Sequence, residues 1–162
     1  MQVTDRITVV GAQRQEFGDA LLGQARLIHD SEPGEGPLAA LHDALRIVAT
    51  DVAIWVGCDM PFLSPEILQL QLELLGLHEA VIPYAGAHAQ PLHGVYRTAC
   101  ASAAKRLLGR GERSLHSFLN ALDVRYLCEA EWHSLCPDGS SFLNINTQGD
   151  LARATRIAQA SS

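Results

Sequence analysis

Residues 52–57, VAIWVG, form an almost unbroken apolar run rich in Val, Ile and Trp, and they constrain the fold more than any other stretch. A run this short and this apolar predicts a strand buried on both faces, as in the middle of a parallel sheet. Cys58, Asp59, Met60 and Pro61 follow, and the proline stops strand pairing. A carboxylate placed where a buried parallel strand ends sits at the edge that α/β folds use for ligands. Read by itself, an Asp at this position is better taken as the cap of the next turn.

The rest of the chain alternates strands with helices. Strands are predicted at residues 6–10, 25–28, 80–83, 93–97, 124–128 and 142–145. Gly36-Pro37 opens a helix whose Leu38, Leu41, Leu45 and Val48 share one face. Ser64-Pro65-Glu66 is a second helix start, with a hydroxyl to cap and proline at the first helical position. Further helices are expected at 98–108, closing on a left-handed Gly109, and at 114–122. Residues 129–141 read as irregular. Thr147 and Asp150 form a capping box for a last helix. This order predicts one domain over residues 1–162, a three-layer α/β/α sandwich of Rossmann-like type on a mainly parallel sheet.

Charge and cysteine usage exclude several functions. Twelve basic residues against 18 acidic ones give a net charge of −6, unlike a general nucleic-acid or membrane-surface binder. No apolar run reaches the roughly 18 residues of a membrane span. The four cysteines lack zinc spacing and predict free thiols in a reducing cytoplasm.

Three features converge on one edge of such a sheet. Gly36, Pro37 and Leu38 bring a helix N-terminus whose free N–H groups suit an anion, although a plain helix start explains them too. Asp59 is a hard carboxylate able to hold Mg²⁺ beside substrate phosphates. Asp30 could reach the same edge or make an Asx turn into Ser31. Asn144 and Asn146, two apart in a predicted strand, would share a face and read polar groups, or simply precede the capped helix. Arg113 and Arg110 could meet phosphate or stay solvated. His88 and His93 read as polar loop residues.

Taken together, GPLAAL at 36–41, CDMPFL at 58–63, PLHGVYR at 91–97, GERSLHSFL at 111–119 and FLNINTQGDLA at 142–152 resemble the molybdenum cofactor guanylyltransferases. GPLAAL stands where cytidylyl-transferring relatives usually carry a GxxxSL-type sequence. The resemblance implies transfer of GMP from GTP to molybdopterin, with Mg²⁺ as cofactor. It implies Asp59 as catalytic residue and metal ligand, and Asp30, Gly11 and the 36–38 turn on the nucleotide side. Asn144, Asn146 and Arg113 would lie on the molybdopterin side. Partners would be molybdopterin-inserting proteins or molybdoenzymes.

Members of that family begin with a glycine-rich loop, LAGGxSxRMGxDK, that cradles the GTP phosphates, and this sequence starts at what corresponds to their second strand. Its single lysine, Lys105, lies far downstream. The expectation is an N-terminally incomplete chain, lacking roughly 35–40 residues and a strand between 6–10 and 52–57. Little or no transfer is expected from the 162 residues alone. The alternative is an inactive relative that binds only molybdopterin or a molybdoenzyme.

Overall fold

A computed structural model describes residues 7–11, 25–29 and 35–160. Asp30 lies outside the described residues. The elements are β1 (Ile7–Gly11), β2 (Ala25–His29), α1 (Pro37–Ile47), β3 (Val52–Val56), α2 (Pro65–Leu74), β4 (Ala80–Ala85), β5 (His88–Ala89) and β6 (His93–Arg97). They continue through α3 (Ala101–Leu108), α4 (Leu115–Leu119), β7 (Val124–Leu127), α5 (Glu129–Trp132) and α6 (Gln148–Ala160).

β1 and β2 pair in parallel, with Gly11 opposite His29. The larger sheet runs β3-β6-β4-β5, and β7 pairs with β4. Alternation along its strands sends neighbouring side chains to opposite faces. Ala80, Ile82 and Tyr96 pack with Leu38, Leu41 and Leu45 of α1 and with Phe118 and Leu119 of α4. Val81, Val95 and Leu127 face the other way, against Ile67 of α2 and Trp132 of α5. Helices thus cover both faces of one sheet, which is the expected three-layer α/β/α sandwich.

The sheet departs from expectation in being mixed rather than mainly parallel. β6 runs antiparallel to both β3 and β4, and only β7 is parallel to β4. The reason is the return at 84–89, where Tyr84 pairs with Ala89 and Ala85 with His88. A tight reversal can join only antiparallel strands. β3 also differs from the expected doubly buried strand. All five of its residues are half-buried, and β6 is its one partner among the described residues.

Local chemistry accounts for the helix ends. Ser64 Oγ accepts the Ile67 N–H, and Ser114 Oγ accepts the Ser117 N–H. α3 does not stop at Gly109, which is right-handed. The chain runs one further turn until Glu112 N–H reaches Leu107 O and Gly111 N–H reaches Leu108 O, with Gly111 at φ 80°. That is a Schellman closure, and the left-handed position belongs to Gly111. Residues 129–141 include a short helix, α5, where Glu131 closes back onto the Cys128 N–H.

The four cysteines are free; Cys58 and Cys128 are exposed and Cys100 and Cys136 buried. Among the described residues no helix is long and apolar enough to cross a membrane.

Candidate functional site

Gly57 extends the β3–β6 ladder by donating its N–H to Leu92 O at 2.8 Å. The chain then turns, with Met60 N–H reaching back to Gly57 O at 3.3 Å, and Asp59 stands in that turn. A Cβ at position 57 would lie 2.4 Å from Asp59 Oδ1. The carboxylate therefore folds back over the strand end, and only glycine leaves it that space. Asp59 is half-buried, and its carboxylate has no hydrogen-bond or ion-pair partner among the described residues. Its backbone, by contrast, is engaged: Asp59 O accepts the Ile145 N–H at 2.9 Å.

That bond brings Asn144 and Asn146 to the end of β3. They do not lie on a strand, however, since residues 143–146 carry no ladder pairing. A 3-10 turn, Ser140–Phe142, precedes them. Leu143 N–H returns to Ser140 O, so the backbone bonds that a strand would lend to a neighbour are closed locally. The two asparagines also sit differently. Asn144 is half-buried, with its Oδ1 sealed from solvent and without a partner among the described residues, while Asn146 is exposed. Asn146 N–H donates to Asp150 Oδ2 as part of the cap of α6. The capping box is present, with Thr147 N–H on Asp150 Oδ2 and Asp150 N–H on Thr147 Oγ1.

The N-terminus of α1 has a different character from those of α2 and α4. Its N-cap is Gly36, at φ 89° and ψ 176°, a conformation essentially restricted to glycine. No side chain caps it, and its first turn carries no acid. Free backbone N–H groups and the positive end of the helix dipole remain for an anion. A short turn joins α1 to β3, and α1 packs over Ala53 and Trp55. α1 must therefore run back across the sheet, which carries Gly36 to the edge where β3 ends. Leu38 is fully buried, so it can offer only its backbone there; Pro37 is exposed.

Arg113 reaches the same helix start from the α3–α4 turn. It is ion-paired with Glu35, and its Nη1 donates to Leu108 O at 3.1 Å and Glu112 O at 3.2 Å. The structure thus sets Arg113 beside Gly36 and sets Asn144 beside Asp59. No group of three or more His, Cys, Asp or Glu side chains among the described residues could hold a metal by itself.

Two residues at this edge escaped sequence reasoning. Gly57 could have been found as the glycine that closes an apolar strand two positions before the acid. His93 is not a polar loop residue but the fully buried first residue of β6. Burial holds its imidazole in the neutral form, with its pKa lowered to about 4.

Known proteins resemble the chain along most of its length. Residues 1–126 match the family model of the MobA-like NTP transferase domain. A probable molybdenum cofactor guanylyltransferase of Pelotomaculum thermopropionicum is 32% identical over 134 residues, 83% of this chain. The chain spans 65% of the length of that relative. The Mycobacterium avium protein of the same description is 32% identical over 164 residues, covering 98% of this chain and 77% of its own. The crystal structure of molybdopterin-guanine dinucleotide biosynthesis protein A from Archaeoglobus fulgidus superimposes with a TM-score of 0.79 at 28% identity. It covers 94% of this chain and 78% of its own. A Thermus thermophilus 2-C-methyl-D-erythritol 4-phosphate cytidylyltransferase shares the fold, at a TM-score of 0.71 and 16% identity, over 95% of this chain and 82% of its own. By its motifs, its fold and these matches, the chain belongs to the MobA-like NTP transferase family.

Proposed function

We propose that the protein bearing this chain is a cytoplasmic nucleotidyltransferase that moves GMP from GTP to molybdopterin. A phosphate oxygen of molybdopterin attacks the α-phosphorus of GTP. The bond from that phosphorus to the β-phosphate oxygen breaks, and pyrophosphate leaves. Such transfer is mostly positioning and charge neutralisation.

The observation that carries this reading is the Asp59 carboxylate, without a hydrogen-bond or ion-pair partner among the described residues at the end of β3 and tied through its backbone to the segment bearing Asn144. A single unencumbered carboxylate suits Mg²⁺, which keeps most of its waters and takes one or two protein carboxylates beside phosphate oxygens. When bound there, Mg²⁺ supplies positive charge against the phosphates. Asp59 would hold it, with Asp30 and Gly11 on the nucleotide side. At the uncapped start of α1, Gly36 and Leu38 would meet phosphate through their backbone N–H groups, with Pro37, which has none, holding the turn between them. Arg113 stands close to that helix start, where a guanidinium favours anionic oxygens. Asn144 and Asn146 would lie on the molybdopterin side. The dinucleotide product would pass to a molybdopterin-inserting protein or a molybdoenzyme.

The test is a transfer assay on the native protein that contains this chain, with GTP labelled at its α-phosphate. Label is expected to move to molybdopterin with release of pyrophosphate, and CTP should not replace GTP. No transfer from GTP, or a preference for CTP, would overturn the reading.

A further inference from the structure

Residues 140–146 have no ladder to hold them, yet they carry Asn144 at the edge of the sheet. Two ties fix them. One is the Ile145 N–H to Asp59 O. The other is Ser141, fully buried, whose Oγ accepts the Ser64 N–H at 2.9 Å and lies 2.8 Å from His93 Nε2. Ser64 caps α2, and His93 pairs with Val56, the last residue of β3. The Ser141 hydroxyl therefore joins the start of α2, the start of β6 and the segment leading to Asn144.

The polar arithmetic gives this junction a direction. Ser141 has one hydrogen, and its oxygen already accepts from Ser64. One arrangement that satisfies the hydroxyl is O–H donating to an unprotonated His93 Nε2, which leaves the ring hydrogen on the buried Nδ1, without a partner among the described residues. Phe142 packs on the imidazole at 4.8 Å between ring centroids and on Trp132 at 4.7 Å, so the ring is held on its face as well as at its edge. Gln71 fixes the backbone beneath, with its Nε2 donating to His93 O at 2.9 Å and to Val81 O at 3.1 Å. Apolar residues could fill this space without desolvating polar groups; what the hydroxyl and imidazole add is a defined geometry.

We propose that His93 and Ser141 are positioning residues that lock residues 140–146 against the end of β3 and thereby set where Asn144 stands relative to Asp59. The lock is a property of the fold; its consequence for transfer rests on the function proposed above.

The experiment is backbone amide exchange on the native protein, with acceptor kinetics as a second readout. In Ser141→Ala the Ile145 amide should exchange about tenfold faster or more, while the amides of β4 and β7 keep their protection. His93→Leu should do the same. His93→Gln, whose amide can place an acceptor where Nε2 stands, should restore most of the protection. The Michaelis constant for molybdopterin should rise roughly fivefold in Ser141→Ala with that for GTP unchanged. Unaltered Ile145 exchange in both Ser141→Ala and His93→Leu overturns the proposal, as does an equal loss of protection throughout β4 and β7. Absence of transfer in the unmutated protein would count against the functional reading alone, because the exchange result judges the lock independently.

Discussion

Asp59 and Asp150 both hold the segment around Ile145 to Thr147, Asp59 by its carbonyl and Asp150 by its side chain, and the fold treats their carboxylates oppositely. Asp150 receives the N–H groups of Asn146 and Thr147 and the Thr147 hydroxyl, at 3.2, 2.9 and 2.8 Å. These bonds, the hydroxyl's first, hold its carboxyl below the usual range. Its charge belongs to the helix it caps. Asp59 lies on the other side of Ile145, and its carboxylate is engaged by nothing among the described residues. The contrast separates a structural acid from one available to a ligand, although both sit at element boundaries and look alike in sequence.

The sharpest way to break the comparison is to neutralise Asp59. Asp59→Asn should lower transfer by about a hundredfold or more, while the melting temperature moves by about 1 °C or less. A large fall in melting temperature would make Asp59 structural after all. Next in size is Gly57→Ala, which puts a methyl 2.4 Å from Asp59 Oδ1. The side chain can swing away at little cost to the fold, so transfer should fall about tenfold with thermal stability nearly intact.

Acid titration probes the neighbouring lock. His93 titrates near 6.5 when unfolded and near 4 when folded, because burial disfavours its charged form. The unfolded chain takes up that proton first. Stability from a neutral His93 is therefore fully present above pH 6.5 and is lost as the pH falls toward 4. Denaturant midpoints measured across that window should decline, and His93→Gln should flatten the decline. The smallest effect belongs to Asp150→Asn, which should lower the melting temperature modestly and leave transfer within about twofold of the unmutated protein.

Much of this could be read from the sequence, for reasons that differ by position. Ser64, Ser114 and the Thr147–Asp150 pair announce helix starts because capping is local chemistry, complete within a few residues. The apolar run at 52–57 announced a strand, but its burial depends on neighbours that no local pattern names, and all of β3 is half-buried. Residues 143–146, Leu-Asn-Ile-Asn, alternate as a strand would. Their pairing is replaced by a serine hydroxyl and one backbone bond from distant parts of the chain, and nothing in the stretch itself signals that. Gly109 and Gly111 are equally plausible left-handed residues until the last turn of α3 is seen to extend. Of the candidate site, Asp59 was legible because a strand end and a following proline fix it. Arg113 could be read as a charge able to meet phosphate or stay solvated, and its pairing with Glu35 is tertiary. His93 was not legible, since a lone histidine in a turn-rich stretch gives no sign of burial.

The most direct measurement of the central claim uses Mn²⁺ in place of Mg²⁺, followed by electron paramagnetic resonance with GTP present. The native protein and Asp150→Asn should bind the ion alike, and Asp59→Asn should lose the protein-bound signal. Equal binding by Asp59→Asn and the unmutated protein would contradict the assignment of Asp59 as the metal-holding carboxylate.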